Sequence, residues 1–293
     1  MQIRNLRYLL ALDRERHFAR AAQACNVSQP TLSAGLAALE EELGRRLVER
    51  DRRFIGFTVE GLAVLPWARQ AIAALDGLSH AAVTTTGRLQ GELRLGVIPA
   101  AMPLTGALAA LLQQAHGDVR LSIQSLTSRE IAQGLAAFSL DAGLTYIEHE
   151  PPPHVVAAPL YQERMMFVTR ATGDAPVDAI ALEDALARRL CLLHQGMQNR
   201  RVLDASLAAR GLSVAPAVTA DSYVALLALV ETGTFATVMP DSYRPLLPGW
   251  ARIIPFQEPL PPTRVGLVVP DRSPLGPLAL AALDLAERLR RPD

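Results

Sequence analysis

The chain has 293 residues, of which half are hydrophobic and a fifth charged, an ordinary composition for a folded protein of two or three domains. The formal net charge is zero, so any contact with nucleic acid must come from a local basic patch, and all 29 basic residues are Arg. Two cysteines are too few for a disulfide framework, and no apolar run approaches the roughly 18 residues of a membrane span. The charged N-terminus does not resemble a signal peptide, so we expect a cytoplasmic protein.

The first forty residues predict three short helices. Apolar residues at helical spacing predict a first helix over residues 3–14 and a second that ends near Cys25. Asn26 tolerates the left-handed backbone of a tight turn. Ser28 can cap a third helix, in which Pro30 is acceptable because first-turn amides have no helical partner.

The outward face of the third helix carries short polar or small side chains, namely Gln29, Thr31, Ser33 and Ala34. Such a face can approach base edges in a major groove without obstruction. The alternative is a plain surface helix with a serine cap. The helix-turn-helix pattern taken alone favours DNA binding and leaves that alternative open.

The segment LVERDRRFIGFTVEG predicts a two-stranded wing, with Arg50, Arg52 and Arg53 around its turn. Arginines in this position can reach phosphates or a minor groove. Residues 1–60 hold ten Arg against eight acidic residues, a local excess that the whole chain lacks. We interpret the cluster 40–42, three consecutive Glu, as a solvated helix end that faces away from DNA.

The run FARAAQACNVSQPTLSAGLAALEEELGRRLVERDRRFIGFTVEG closely resembles the winged helix-turn-helix of LysR-type transcriptional regulators. The matching features are AA before the turn, VSQPTLS at the recognition helix, LE.ELG at its end, LVER entering the wing and T.EG leaving it. The resemblance implies a recognition helix that starts near Gln29. It also implies DNA contacts at Ser28, Gln29, Pro30, Thr31, Ser33, Arg50 and Arg53. We expect Gln29 and Ser33 to touch bases, and the two arginines to hold phosphate.

Residues 59–86 predict an Ala-rich helix with a seam at a/d-like spacing, formed by Leu65, Ala68, Ile72, Leu75 and Ala82. It matches the family's long linker helix, which pairs with its twin in a dimer; the alternative is a helix packed on its own domain. Pro66 should kink this helix or remove a backbone hydrogen bond. The stretch VTTTGRLQG then predicts a hinge between domains.

The last two hundred residues alternate strands with helices, which predicts a largely parallel α/β sheet. By resemblance this is the family's periplasmic-binding-protein-like (type 2) effector domain of two lobes. The fold class is therefore α+β multidomain. The expected boundaries are 1–58 for the winged helix-turn-helix, 59–87 for the linker and dimerisation helix and 88–293 for the effector domain. Within the latter, lobe I covers 91–160 plus 267–293 and lobe II covers 161–266.

Open α/β sheets bind ligands beyond the carboxyl ends of their strands. Loops in that position predict effector contacts at Pro99, Ala100, Ala101, Thr127, Ser128, Thr145, Gln195, Gln198 and Asn199. Thr127 and Ser128 lie at a helix N-terminus, where hydroxyls, amides and the helix dipole favour an anion. The alternative for these two residues is an ordinary helix cap.

Two other classes of protein are disfavoured by the sequence. An enzyme would need a phosphate loop, a nucleophile elbow or an acid–base pair, and none is visible. Cys191 and His194 form a CxxH, but Cys191 sits in an apolar strand pattern and two ligands are too few for a metal site. We therefore expect no catalytic residue, metal or cofactor. A transport solute-binding protein would have no use for residues 1–60.

The resemblance implies four partners: a partly palindromic double-stranded DNA site, RNA polymerase, a small effector and further copies of the chain, as a homodimer and homotetramer. The motifs RERHF.RAA.AC.VSQPTLSA, SLTSREI and DAGLTY are similar to regulators encoded beside molybdenum-dependent formate dehydrogenase genes. Formate would suit a small anion site. The competing hypothesis is a ligand-independent DNA-binding regulator whose lobes serve only oligomerisation.

Overall fold

The computed structural model describes residues 1–50, 54–83, 89–148, 150–171 and 178–290, with only the backbone described at residues 50, 76 and 79–83. These residues form two compact units, the first built chiefly from Met1–Leu89 and the second chiefly from the chain that follows. Within the described part, no helix is both long and apolar enough to cross a membrane. Residues 84–88 of the predicted hinge at 83–91, and the arginines at 52 and 53, lie outside the described residues.

Three helices form the body of the first unit: α1 (Ile3–Glu15), α2 (Phe18–Ala24) and α3 (Gln29–Leu43). Their buried faces meet in a core that contains five leucines at most 1 % exposed: Leu9, Leu12, Leu32, Leu36 and Leu39. Each buried leucine contributes about 2 kcal/mol of transfer free energy. The three helices predicted from apolar spacing are confirmed.

The turn before α3 has the predicted chemistry. Asn26 adopts the left-handed conformation, with φ of 55°. The Ser28 hydroxyl accepts a hydrogen bond from the backbone N–H of Thr31 at 3.3 Å, and so caps the helix. Gly44 ends the same helix in the left-handed conformation.

A two-stranded antiparallel wing follows, formed by β1 (Val48–Arg50) and β2 (Phe54–Phe57). One interpretation of the sequence is wrong here, because Glu40 is buried rather than solvated. Its Oε1 accepts hydrogen bonds from the backbone N–H groups of Leu47 and Val48 at 2.9 and 3.1 Å. After the helix ends, the returning chain needs an acceptor for these amides, and Glu40 supplies it. Glu41 and Glu42 are exposed, as expected.

The linker helix α4 (Val59–Val83) runs 25 residues and continues through Pro66. Asp13 accepts a hydrogen bond from Arg69 and thereby links α1 to α4. The predicted dimer seam is wrong at its start, since Leu65 and Ala68 are buried in the core of the first unit. A second stripe at helical spacing is exposed instead: Ala63, Trp67, Gln70, Ala74 and Leu78.

The second unit contains a five-stranded sheet in the order β4-β3-β5-β12-β6. Its strands are β3 (Gly91–Val97), β4 (Val119–Ser125), β5 (Ala142–Tyr146), β6 (Val155–Glu163) and β12 (Thr263–Pro270). β3 is parallel to β4 and β5, whereas β12 is antiparallel to β5 and β6. The sheet is therefore mixed rather than largely parallel, because β12 enters it from the far end of the chain. The strand β6 was not among the predicted elements.

A short 3-10 helix (Pro99–Leu104) and three α-helices accompany this sheet: α5 (Thr105–Ala115), α6 (Ser128–Ala136) and α10 (Pro277–Leu289).

A second, smaller sheet has β7 (Met165–Arg170) at its centre, antiparallel to β10 (Thr237–Pro240) and β11 (Ala251–Ile254). A parallel pair, β8 (Cys191–Leu193) and β9 (Val218–Ala220), belongs to the same half of the unit. Its helices are α7 (Leu182–Leu186), α8 (Gln198–Ala208), α9 (Tyr223–Glu231) and a 3-10 helix (Asp241–Leu246).

The chain passes from the larger sheet to the smaller one at Arg164, between β6 and β7, and returns ahead of Thr263. These points lie a few residues from the expected lobe boundaries at 161 and 267, which remain a proposal. We refer below to the five-stranded half as the first lobe and to the other half as the second lobe. The expected fold class, a winged helix-turn-helix with a linker helix and an α/β effector domain, agrees with this architecture.

Candidate functional sites

The outward surface of α3 carries the residues predicted to contact DNA. Ser28, Gln29, Pro30 and Thr31 are exposed at the N-terminal end of the helix, and Ser33 is half-buried one turn later. The hydroxyls of Ser28 and Thr31 are 2.8 Å apart and share a hydrogen bond. This end of the helix therefore presents short polar groups to solvent, which is the geometry that base-edge contact requires.

The wing positions are only partly described. Arg50 ends β1, where its backbone pairs with Phe54, and its side chain lies outside the described atoms. Arg53 lies outside the described residues altogether. Their role as phosphate contacts remains a prediction. Arg16, which was not predicted as a site residue, packs against the wing. Its guanidinium lies over the rings of Phe54 and Phe57, at 6.0 and 5.4 Å from their centroids.

The motif T.EG that leaves the wing has a structural cause. The Thr58 hydroxyl donates to the carbonyl oxygen of Arg46 at 2.7 Å and accepts from the Gly61 N–H at 2.9 Å. A Cβ on Gly61 would lie 2.0 Å from the carbonyl oxygen of Leu47. Only glycine allows this approach of α4 to the backbone that leads into β1.

In the second unit, a pocket lies between the two lobes and encloses about 240 Å³, including solvent at its mouth. The first lobe contributes Ile98, Pro99, Ala100, Thr127, Ser128 and Tyr146, and the second contributes Leu193, Met197, Gln198 and Asn199. Of the described residues that line it, none is charged. The small volume and neutral lining suit a small ligand recognised by hydrogen bonds.

Six of the nine predicted effector residues line this pocket, and three do not. Ala101 is fully buried and packs in the core, while Gln195 is exposed. Thr145 is fully buried on β5, and its neighbour Tyr146 faces the pocket instead. Successive side chains of a strand point to opposite faces, which is why Tyr146 lines the pocket and Thr145 does not.

Thr127 and Ser128 have different roles at the start of α6. Thr127 donates through its backbone N–H and its hydroxyl to Glu130 Oε2, both at 2.8 Å, and its hydroxyl accepts from the Glu130 N–H at 3.2 Å. This reciprocal arrangement is a capping box. The backbone and side-chain hydrogen bonds from Thr127 lower the pKa of Glu130. Thr127 therefore caps α6 and also lines the pocket, and its contact with an effector remains a prediction.

Ser128 is only 7 % exposed, and its Oγ is buried with no hydrogen-bond partner among the described residues. A buried hydroxyl without a partner costs about 1–3 kcal/mol, which a ligand in the adjoining pocket can recover. Ser128 is thus the lining residue with the clearest unmet hydrogen-bonding capacity.

A buried network at the pocket joins the two lobes. Tyr146 donates its hydroxyl hydrogen to Glu163 Oε1 at 2.8 Å. Asn199 Nδ2, from α8, donates to the same oxygen at 3.0 Å and to the Tyr146 hydroxyl at 2.9 Å. Burial raises the pKa of Glu163 to about 8. Glu163 was not predicted as a site residue because the pattern of residues 155–163 did not indicate the strand that carries it.

Two further hydrogen bonds join the lobes beside the pocket. The Tyr243 hydroxyl donates to the Pro99 carbonyl at 2.7 Å, and the Ser242 hydroxyl donates to the Ala100 carbonyl at 3.0 Å. The 3-10 helix that starts at Pro99 is therefore held by the second lobe through its backbone.

Both cysteines lie outside the pocket lining. Cys191 is fully buried, as predicted for a core residue, and burial raises the pKa of its thiol to about 11. Cys25 is half-buried after α2, and burial also raises its thiol pKa.

His194 is exposed, and its Nδ1 accepts from the Gly196 N–H at 3.0 Å. Across the described residues, no three His, Cys, Asp or Glu side chains converge as metal ligands would.

Comparison with known proteins gives a consistent assignment. The family model for bacterial regulatory helix-turn-helix proteins of the lysR family matches residues 3–62, and the model for the LysR substrate binding domain matches residues 86–290. A probable hydrogen peroxide-inducible genes activator from Mycobacterium avium is 34% identical over 275 residues, 91% of this chain and 87% of that protein.

Two further proteins extend the comparison. The DNA-binding transcriptional dual regulator OxyR of Escherichia coli K12 is 29% identical over 281 residues, 94% of this chain and 91% of its own. A full-length OxyR variant from Pseudomonas aeruginosa, with one cysteine replaced by aspartate, has a TM-score of 0.79 at 26% identity, covering 100% of this chain and 99% of that one. None of these relatives supports the formate dehydrogenase subgroup. The chain belongs to the LysR family, and it is a DNA-binding transcriptional regulator with an N-terminal helix-turn-helix domain and a C-terminal substrate-binding domain.

Proposed function

We propose that this regulator responds to a small effector bound in the pocket between its two lobes, and that binding changes its DNA contacts or its activation of promoters. The observation that carries this proposal is the buried Ser128 hydroxyl, which has no described partner and lies at the N-terminus of α6. The dipole of α6 and the Ser128 hydroxyl favour a ligand that accepts hydrogen bonds, such as a carboxylate. Formate is one such ligand and is included in the test below.

The response we propose does not pass through a cysteine, although relatives of this chain are named hydrogen peroxide-inducible genes activators. Thiol sensing needs an accessible cysteine with a lowered pKa, because the thiolate is the reactive species. Here both thiol pKa values are raised, and the sequence holds no third cysteine. The pocket is lined by Gln198 and Asn199 among others, and neither cysteine lines it.

On the DNA side, we propose that Gln29 and Ser33 touch bases, that Ser28, Pro30 and Thr31 complete the contact surface, and that Arg50 and Arg53 hold phosphate. The exposure of the N-terminal end of α3 supports this assignment. The target would be a partly palindromic promoter site, bound by a homo-oligomer that also contacts RNA polymerase. We expect no enzymatic activity.

We further propose that α4 pairs with its twin in the homodimer through its exposed stripe. Trp67 is 71 % exposed and Leu78 is 68 % exposed, and their separation of three helical turns puts them on one face. Large apolar side chains exposed in a row on a helix mark a surface for association. Two such dimers would form the homotetramer.

The test of effector binding is thermal unfolding of the full-length chain against formate, acetate and larger carboxylates, with hydrogen peroxide as a neutral probe. A ligand at 100 times its Kd stabilises by about 2.7 kcal/mol, which raises Tm by roughly 5–10 °C in a domain of this size. Ser128→Ala should abolish the shift, while Ser139→Ala, a serine outside the pocket lining, should keep it. A response equal in both variants, or a panel without any response, would favour the ligand-independent regulator whose lobes serve assembly.

A further inference from the structure

Glu163 occupies an unusual position for a carboxylate. It is the last residue of β6 and lies next to Arg164, where the chain passes from the first lobe to the second. Its side chain is only 2 % exposed. Glutamate is almost never buried to this degree unless its oxygens are paired. The burial of Glu163 therefore suggests that its carboxyl group has a specific function.

One oxygen of this carboxylate is fully used. Oε1 accepts from the Tyr146 hydroxyl at 2.8 Å and from Asn199 Nδ2 at 3.0 Å. Both donors line the effector pocket, and they belong to different lobes. Asn199 Nδ2 also donates to the Tyr146 hydroxyl at 2.9 Å, so each of the three side chains is hydrogen-bonded to the other two beside the pocket.

The other oxygen is buried without a partner. Glu163 Oε2 receives no hydrogen bond from any described residue. The titratable groups around Glu163 are four tyrosines and one carboxylate: Tyr146 from β5, Tyr161 from β6, Tyr223 from α9, and Tyr243 and Asp241 from the second 3-10 helix. None of these neighbours is a cation that could compensate an ionised carboxylate.

A neutral Glu163 satisfies this environment better than an ionised one. A proton on Oε2 leaves Oε1 able to accept both hydrogen bonds, and no charge is buried. An ionised Glu163 keeps those hydrogen bonds but holds a charge with one oxygen away from water, which is costly in an interior. An ionised Glu163 would regain hydration if the lobes parted. Closure of the lobes would then bind a proton that opening would release.

We propose that Glu163 is a positioning residue of the effector pocket, whose neutral form holds Tyr146 of the first lobe and Asn199 of the second in the closed arrangement. This inference rests on the proposed effector site. It adds that closure takes up a proton, so an anionic effector, which needs closure and is repelled by a charged neighbour, binds more tightly as the pH falls. The raised pKa of Glu163 has the direction that this coupling requires.

The test uses hydrogen–deuterium exchange of the full-length chain without any effector, so that its failure is distinct from a failure to find the effector. The variants are Glu163→Gln, which keeps an acceptor at Oε1 and cannot ionise, Glu163→Leu, which removes the acceptor, and Tyr146→Phe, which removes one donor. Exchange is measured in Pro99–Leu104 and Gln198–Ala208, with Ile3–Glu15 as the reference segment.

We expect exchange at the two lobe segments of the wild type, corrected for intrinsic amide chemistry, to rise about tenfold or more between about pH 5.5 and pH 7.5. In Glu163→Gln, the amides of these two segments should exchange slowly at both pH values. In Tyr146→Phe, they should exchange faster than in the wild type and keep its pH dependence. Glu163→Leu should exchange fast throughout. If Glu163→Leu does not fold, Glu163→Gln and Tyr146→Phe still test the proposal. A flat wild-type profile, or the same pH dependence in Glu163→Gln, would overturn the proposal.

Discussion

The carboxylate of Glu40 lies 2.9 Å from the backbone nitrogen of Leu47 and serves as the acceptor that the chain needs between the recognition helix and the wing. The same oxygen also accepts from Val48, so a single buried side chain satisfies two amides. These two hydrogen bonds hold the start of β1 against α3, the recognition helix, and so position the wing relative to that helix.

Replacing Glu40 should therefore destabilise the DNA-binding unit. Glu40→Ala leaves two buried N–H groups without an acceptor and should cost about 2–4 kcal/mol, measured by urea unfolding. Glu41→Ala, one position along and exposed, is the matched control and should change stability by less than about 0.5 kcal/mol. Equal losses in the two variants would show that the contact with Leu47 does not determine stability.

Gly61 gives a steric prediction. Its Cβ would meet the backbone of Leu47 at 2.0 Å, so Gly61→Ala forces backbone movement and should cost at least about 2 kcal/mol. Gly56 lies in β2 with nothing within 4 Å of its added Cβ, and Gly56→Ala is the control. Thermal unfolding of both variants tests this, and a Gly61→Ala protein as stable as the control would contradict the close approach.

The exposed stripe on α4 predicts which residues of this helix form the contact in the dimer. Trp67→Glu places a charge in the middle of the proposed helix pair and should weaken dimerisation by about 2 kcal/mol or more, over tenfold in Kd, measured by analytical ultracentrifugation. Ala73 is exposed on another face of the same helix, and Ala73→Glu should dimerise normally. Dissociation of both variants, or of neither, would argue against this seam.

Global stability should also depend on pH through Glu163. Its pKa is raised from 4.5 in the unfolded chain to about 8 in the folded protein, so the folded state holds the extra proton between these values. The contribution of this group is fully present below about pH 4.5 and is lost as the pH rises towards 8. Tm measured across this range should fall more steeply in the wild type than in Glu163→Gln. Parallel curves would contradict the shift.

The cysteines give a chemical prediction. Because Cys191 is fully buried with a raised thiol pKa, it should react with a thiol reagent only after denaturation, while Cys25 reacts slowly in the native state. A Cys25→Ala, Cys191→Ala double variant should keep any effector response of the wild type. Fast oxidation of native Cys191 by hydrogen peroxide would contradict the cysteine-independent response.

Features that depend on local backbone chemistry were predictable from the sequence. Asn26 and Ser28 are examples, since a left-handed turn and a helix cap each restrict the residue type at one position. The elements that carry the pocket were also predictable, because alternating strands and helices place loops at strand ends.

Features that depend on partners distant in the chain were not predictable. The burial of Glu40 needs amides seven and eight residues later, which periodicity does not reveal. Thr145 and Tyr146 are both buried on β5, so composition does not show which of them faces the pocket. Leu65 and Ala68 fit a dimer seam and an internal core equally well, and only the packing distinguishes the two.

The position of β12 has a consequence for synthesis on the ribosome. This strand lies between β5 and β6 and pairs with both, but it is made long after either, once the whole second lobe has emerged. Until then, one edge of β5 is open and β6 has no partner strand, and unpaired strand edges are prone to aggregate. The last strand therefore completes the first lobe, and a chain truncated before Thr263 would contain the strands of the second lobe but not a finished sheet in the first.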